Sequence, residues 1–323
     1  MKALVVSALS SDLSGCGVVD VPVPRRQAGE LLVRVRAAAL NFPDLLMTRG
    51  DYQLKPPLPF VPGMEMAGEV VEADAESGFA VGDAVVCGTR IGSFAELVAC
   101  PAAAARAMPA QLGFAQAAAI GTAYLTAYVA LVRLARIEAG EWVLVHGATG
   151  GVGLAAVDLA TLLGARVIAT SRSADKRAVL AQDYAPRAIL PASGFRDAVK
   201  AITGGRGADI IFDPVGGDVF DESCRSIAFG GRLLVVGFTS GRIATVPTNI
   251  PLIKGFSVIG VRAGEYGRQF PERGVENLDV VWGMAAAGRL RPRVDRTYKL
   301  ADWQDAFAAM AASDLVGKLV IEP

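Results

Sequence analysis

The run Val143-Leu-Val-His-Gly-Ala-Thr-Gly-Gly-Val-Gly153 constrains the fold of this 323-residue chain more than any other stretch. Apolar residues that read as a buried strand enter a glycine-rich turn, and a helical pattern with Ala156, Leu159 and Leu163 on one face leaves it. Glycines at 150, 151 and 153 let the backbone approach a ligand closely, and a helix start offers N–H donors and positive dipole potential to an anion. A bare glycine triplet is weak evidence. Here the strand before it, the helix after it and a second apolar run at 166–170 supply the context that the motif requires. The expectation is a pyrophosphate cradle with Gly150, Gly151 and Val152 at its turn; the bland alternative is a tight turn that has lost its nucleotide.

The surrounding rhythm agrees. Candidate strands at 142–147, 166–170, 188–190, 209–213, 232–237 and 257–261 alternate with helical patterns such as 152–163 and 195–202. That order predicts an α/β doubly wound parallel sheet of the Rossmann type. The first third is different. Short Val-rich or alternating runs at 3–6, 18–23, 30–38, 66–73, 83–87 and 94–98, separated by Gly, Pro, Asp and Ser, predict a β-rich barrel or folded antiparallel sheet. A helix at 301–312 and a strand at 318–321 are assigned back to that first domain. The expected division is therefore 1–122 with 265–323, and 123–264.

Composition excludes several functions. Lys+Arg and Asp+Glu are both 32, so no net charge points to nucleic acid or an anionic membrane. Cys16, Cys87, Cys100 and Cys224 are scattered, which predicts free thiols in a reducing cytosol. A single histidine, His146, rules out a metal site built from several imidazoles. No charged residue lies between Arg106 and Arg133, a stretch long enough to span a bilayer. Pro109, Gln111, Gly113, Gly121 and Thr126 interrupt it and alanine dominates, so two short buried helices broken near Gly121 are expected. With no recognisable cleavage region at the N-terminus, the chain reads as a soluble cytoplasmic protein.

Cofactor preference is read at the end of the second strand of such a sheet. An NAD site places Asp or Glu there for the ribose hydroxyl. This chain has Thr170, Ser171, Arg172 and Ser173, then Lys176 and Arg177. Hydroxyls and cations without a carboxylate suit the 2′-phosphate of NADP(H), with Ser171, Arg172 and Lys176 as its ligands. The bland alternative is that Lys176 and Arg177 face water from a helix start.

Asn41-Phe-Pro-Asp44, Gly50-Asp-Tyr52, Pro62-Gly-Met-Glu-Met-Ala-Gly68, Gly121-Thr-Ala-Tyr124, Ala148-Thr-Gly-Gly-Val-Gly153, Asp213-Pro-Val-Gly216 and Val236-Gly-Phe238 fall in a familiar order. Along its whole length the chain resembles the quinone oxidoreductase (zeta-crystallin-like) branch of the zinc-free medium-chain dehydrogenase/reductases. The resemblance implies a GroES-like catalytic domain flanking the Rossmann domain, and reduction of a quinone or of an α,β-unsaturated carbonyl (enone, enal or enoyl thioester) by NADPH. Zinc-dependent relatives carry Cys near position 41 and His after the glycine at 63; here those places hold Asn41 and Met64, and Glu65 alone cannot bind zinc. Carried over by position, Asn41 and Tyr52 take the catalytic places, with Tyr52 as proton donor. Asn41, Thr126, Val215, Gly237, Phe238, Arg262 and Lys318 join the glycine turn and the 171–176 segment in holding the cofactor. The chain departs from the pattern at Pro191, where relatives often have a Tyr beside the adenosine, and at Arg172, which is expected to stack on adenine instead.

Other residues have plainer readings. His146 sits inside a buried strand and is expected to be a hydrogen-bonded core histidine. Asp44 is expected to cap the helix that follows, and Glu65 to be a buried acid whose partner base the sequence does not name. Tyr52 is either a packing aromatic or a phenol able to donate a proton. Two other functions compete: an NADPH-binding structural or regulatory protein with little turnover, and a zinc-free alcohol dehydrogenase-like enzyme. The physiological acceptor is not legible. The β-prone run 255–261 has no interior lysine or proline to blunt an edge, so a homodimer through that strand is expected, as the resemblance also implies.

Overall fold

A computed structural model describes all 323 residues. The chain divides into two compact units, Met1–Thr122 with Pro292–Pro323, and Ala123–Arg291. Strands β1 (Lys2–Val6), β2 (Cys16–Asp20), β3 (Glu30–Leu40), β4 (Glu65–Glu72), β5 (Ala84–Gly88), β6 (Leu97–Pro101) and β7 (Ala105–Ala107) come first. The second unit contributes β8 (Trp142–Val145), β9 (Arg166–Thr170), β10 (Ala188–Leu190), β11 (Ala208–Asp213), β12 (Ile227–Val235) and β13 (Ser257–Gly260). The chain then returns to the first unit with β14 (Val294–Lys299) and β15 (Lys318–Glu322).

In the first unit, β1 and β2 form a hairpin, and the larger sheet runs β14-β15-β3-β4-β5-β7 with β6 also on β3. The long strand β3 explains the architecture. Its alternation places Val33 and Val35 inside and Arg34 and Arg36 outside, and it pairs antiparallel with β4, β6 and β15. Phe94, Phe307 and Trp303 anchor the core; Phe307 meets Phe94 edge-on at 6.2 Å and Trp303 at 5.5 Å between ring centroids. Each buried ring contributes roughly 2–3 kcal/mol, and the edge contacts add about 1 kcal/mol.

Two expected strands end elsewhere. The strand expected over 18–23 stops at Asp20 because Pro22 and Pro24 lack ladder donors. The strand expected over 94–98 is Leu97–Pro101; Ser93 and Phe94 instead donate to the carbonyls of Gly63 and Pro62, which turns the Phe94 side chain into the core.

The second unit is a six-stranded parallel sheet in the order β10-β9-β8-β11-β12-β13. Counted from β8, that is 3-2-1-4-5-6, the dinucleotide-binding order. Its central strands are continuous apolar runs buried on both faces, Val143–Val145 and Ile210–Phe212 among them. The expected boundary at 265 is corrected: residues 265–291 lie in this unit. Arg133 Nε donates to the buried Asn277 Oδ1 at 2.7 Å, and Arg291 donates to Asp158 through its backbone N–H (2.8 Å) and Nε (2.7 Å). These bonds tie the helix Pro271–Ala286, and the segment that follows it, to the parallel-sheet unit.

The uncharged stretch forms the helices Phe114–Ala118 and Gly121–Tyr128 followed by a π turn, Val129–Leu134. By length and apolarity the segment Phe114–Leu134 would reach across a membrane, yet 61% of its apolar window is buried inside the protein. All four cysteines are free, and three of them are buried.

Candidate functional site

In the second unit the candidate binding surface is made of backbone. After β8, Gly147 adopts φ +54° and Gly150 donates back to the Gly147 carbonyl at 2.9 Å, closing the turn. Gly150 then caps the helix Gly151–Leu162. A Cβ on Gly153 would lie 2.2 Å from the Gly147 carbonyl oxygen, so only glycine lets this helix start so close to the turn. The amides of Gly151, Val152 and Gly153 belong to the first turn of this helix and have no acceptor within it. This donor set fits a pyrophosphate.

Neighbouring turns complete the rim. A Cβ on Gly147 would come within 3.3 Å of the Val215 side chain, so the two turns abut. Asp213, at the end of β11, accepts from the amides of Val215 (2.8 Å) and Gly216 (2.9 Å) through one oxygen. Burial pushes its carboxyl above the usual range, with both bonds opposing. The Asp213 carbonyl accepts from Val236 and Gly237, and Phe238 packs where a Gly216 Cβ would stand. Val215, Gly237 and Phe238 are thus brought together at the carboxyl ends of adjacent parallel strands, where ligands of such sheets bind.

At the end of β9, Thr170 and Ser171 are buried, and Ser171 Oγ lies 3.4 Å from Thr149 Oγ1. The Arg172 side chain is exposed. Ser173 caps the helix Ala174–Asp183 by accepting from the Lys176 amide. Arg177 has a task that the sequence did not reveal: it donates to the carbonyls of Ser171 (2.9 Å) and Arg172 (3.1 Å) and so frames the turn. Thr126 is half-buried on the helix Gly121–Tyr128, and Arg262 is exposed, 3.6 Å from the Glu265 carboxylate.

His146 is the core histidine expected. It is fully buried, with Nδ1 3.0 Å from Thr170 Oγ1 and Nε2 2.8 Å from Ser223 Oγ. Burial pushes its pKa down to about 3, so the ring is neutral, and both nitrogens are committed.

In the first unit the candidate site is built from side chains. Strand β3 ends at Leu40, which pairs with Leu319 of β15, while Ala38 pairs with Met66 of β4. That register puts Asn41, Lys318 and Glu65, each one step beyond a paired position, at one end of the sheet. Lys318 Nζ donates to Asn41 Oδ1 (2.6 Å) and to Glu65 Oε1 (2.9 Å). Asn41 Nδ2 donates to Glu65 Oε1 (2.9 Å) and to the Ala39 carbonyl (3.2 Å). Glu65 Oε2 accepts from the Thr122 amide at 2.7 Å, and a Cβ on Gly121 would press to 3.0 Å from that oxygen. The base that Glu65 required is therefore Lys318, and both are buried.

Asp44, expected to cap a helix starting at Leu45, instead lies in the first turn of a helix that starts at Phe42 with Asn41 as its N-cap, and it caps from within. Its carboxylate accepts from the Asn41 amide (2.8 Å) at the start of the helix Phe42–Arg49, and from the Gly63 amide (3.1 Å). Burial raises its pKa to about 7, against those two bonds and the nearby Lys318 charge. Tyr52 is half-buried against Val6, Met47 and Phe60. No group of three or more His, Cys, Asp or Glu side chains is clustered as metal ligands would be.

Comparison with known proteins settles the family. Residues 27–110 match the alcohol dehydrogenase GroES-like domain, and residues 151–279 match the family model described as zinc-binding dehydrogenase. The latter stretch contains one cysteine and no histidine in this chain. The quinone oxidoreductase-like protein 2 homolog of Nematostella vectensis is 38% identical, with 90% of this chain and 81% of that protein covered. Human quinone oxidoreductase is 32% identical, over 94% of this chain and 92% of that one. The chain belongs to the quinone oxidoreductase branch of the medium-chain dehydrogenase/reductase superfamily. Among solved structures, a mycobacterial protein complexed with NADPH superposes with a TM-score of 0.90 at 29% identity, each chain covered completely. The GroES-like and Rossmann domains expected from the sequence are both present in this family member.

Proposed function

We propose that this member of the branch is an NADPH-dependent oxidoreductase that passes hydride to a quinone or to an α,β-unsaturated carbonyl, namely an enone, enal or enoyl thioester. The observation that carries the reading is the glycine turn of the 3-2-1-4-5-6 sheet followed, at the end of β9, by Ser171 and Arg172 where an acid would select NAD. The NADPH in the mycobacterial relative supports the same cofactor. Bound NADPH supplies the hydride.

The chain's own residues do the rest. Gly150, Gly151 and Val152 hold the pyrophosphate through backbone amides, and Ser171, Arg172 and Lys176 hold the 2′-phosphate. Val215, Gly237, Phe238, Thr126 and Arg262 complete the cofactor set. Asn41 serves both the cofactor and the reacting group, and the Tyr52 phenol donates the proton that follows hydride addition. The metal position of zinc-dependent relatives is taken by an amide, Asn41, whose neighbour Glu65 is already neutralised by the Lys318 ammonium. A conjugated acceptor needs no Lewis acid for hydride addition, so catalysis is zinc-independent.

The working form is a homodimer. Strand β13 pairs only with β12, and Val258 on it, with Phe229, Leu252 and Ile253 in the same unit, is exposed. The cytosol is the compartment its free thiols suit. The decisive experiment follows NADPH absorbance when a panel of quinones, enones, enals and enoyl thioesters is added to purified protein. Oxidation stoichiometric with reduced acceptor is expected; tight NADPH binding without oxidation by any member would replace the reductase with a binding protein.

A further inference from the structure

Asn41, Glu65 and Lys318 leave each other no choice of hydrogen-bond direction. The Lys318 ammonium can only donate, and it lies 2.6 Å from Asn41 Oδ1. The Glu65 carboxylate and the Ala39 carbonyl can only accept, and they lie 2.9 and 3.2 Å from Asn41 Nδ2. Turning the amide over would set its NH2 against an ammonium and its oxygen against a carboxylate, with all three side chains buried. The chemistry of the partners dictates the orientation of this amide. Both amide protons are spent, and one lone pair on Oδ1 remains.

We propose that Lys318 and Glu65 are positioning residues that hold Asn41 as a hydrogen-bond acceptor, so that the ligand group it engages is an N–H or O–H donor and not a carbonyl. The inference rests on the reading above that Asn41 meets the bound ligand. Lys318 then acts through Asn41 instead of touching the cofactor itself. Two ligands of that reading carry a donor on the reacting ring itself. One is the primary carboxamide of the nicotinamide ring, and the other is the phenolic hydroxyl of a reduced quinone. The carbonyl oxygen of an incoming acceptor finds no donor on Asn41, which leaves its protonation to another group, the Tyr52 phenol.

The test uses pairs of ligands in which one member lacks the donor. NADPH is compared with its 3-acetylpyridine counterpart, in which a methyl replaces the amide nitrogen, and a hydroquinone with its dimethyl ether. Each is titrated calorimetrically into wild-type protein, Asn41→Ala, and Lys318→Met/Glu65→Gln; the double substitution removes both charges together and leaves no lone buried ion. Wild-type protein is expected to prefer the donor-bearing member of at least one pair by about tenfold, the worth of one hydrogen bond. Whichever pair shows it identifies the donor. Both variants are expected to bind the two members alike, and to bind the donor-free member within about twofold of wild type, which reports an intact fold. No preference in either pair for wild type, or a preference that survives the double substitution, overturns the proposal. So does loss of the donor-free ligand in the variants, which would give the pair a purely structural role. Wild-type protein that binds neither dinucleotide refutes the cofactor reading itself, and this inference with it.

Discussion

At the start of the helix Gly151–Leu162 the candidate binding surface is backbone, whereas at the ends of β3, β4 and β15 the candidate site is a buried set of charged and amide side chains. The two regions fail differently when disturbed. The glycine turn carries no side chain to lose, so it is broken only by adding atoms. The Asn41–Glu65–Lys318 set is broken by removing them, because each charge is desolvated and depends on the other.

The largest expected effect comes from the side-chain region. Lys318→Met alone strands the Glu65 carboxylate and is expected to cost about 3–5 kcal/mol of stability. Lys318→Met/Glu65→Gln should recover most of that loss in the same denaturant titration. Equal losses in the single and double variants would mean that the pair is not coupled. The backbone region comes next. Gly153→Ala drives a methyl to 2.2 Å from the Gly147 carbonyl, which must move, so about 1–3 kcal/mol of stability goes with it. NADPH affinity should fall with it in a binding titration, while the same change at the open, exposed turn of Gly78 serves as a control with no effect on binding.

Arg172→Ala sharpens the comparison within the cofactor unit. It should lower the NADPH-to-NADH preference about ten- to a hundredfold, equivalent to the roughly 1.5–3 kcal/mol of one charged hydrogen-bonded pair. An unchanged ratio of dissociation constants would remove Arg172 from the 2′-phosphate site.

Acidity separates the two regions with opposite signs. His146 has a folded pKa of about 3, below its unfolded value of about 6.5. As pH falls below 6.5 the unfolded chain takes up a proton that the folded one refuses, so this group makes stability decline toward pH 3. Asp44 has a folded pKa of about 7, above its unfolded value of about 4. Between those values the folded chain holds a proton that the unfolded one releases, so this group makes stability decline as pH rises. At full slope each amounts to about 1.4 kcal/mol per pH unit. Thermal unfolding between about pH 4.5 and 6.5 should therefore become more acid-labile in Asp44→Asn and less so in His146→Gln. Parallel pH profiles for the two variants would contradict both assignments.

The same contrast explains what was legible in the sequence. The glycine cradle lies in one contiguous run, so its strand, turn and helix start could be read together, and the strand–helix rhythm around it named the sheet. His146 was readable as a core residue for the same local reason. Lys318 and Asn41 are 277 positions apart, and only the pairing of β15 with β3 brings them together. Glu65 beside glycines signalled a buried acid needing a base, but composition offers 32 Lys and Arg and no rule for choosing among them. Arg177 could not be separated from Lys176 by pattern, because its task is to hold two carbonyls of a turn. The boundary expected at 265 failed because Arg133 and Asp158 fasten residues 277 and 291 by side-chain bonds that leave no periodic trace.

The central claim is that this chain moves hydride from NADPH to an acceptor, and the fate of a label on the nicotinamide tests it most directly. Purified protein is given NADPH deuterated at C4 of the ring, on one face and then on the other, with whichever acceptor of the panel reacts fastest, and the recovered NADP+ is weighed by mass spectrometry. A ring held by fixed residues exposes one face to the acceptor, so one labelled form should lose its deuterium completely and the other should keep it. No NADP+ formed, or deuterium lost alike from both forms, would contradict the account.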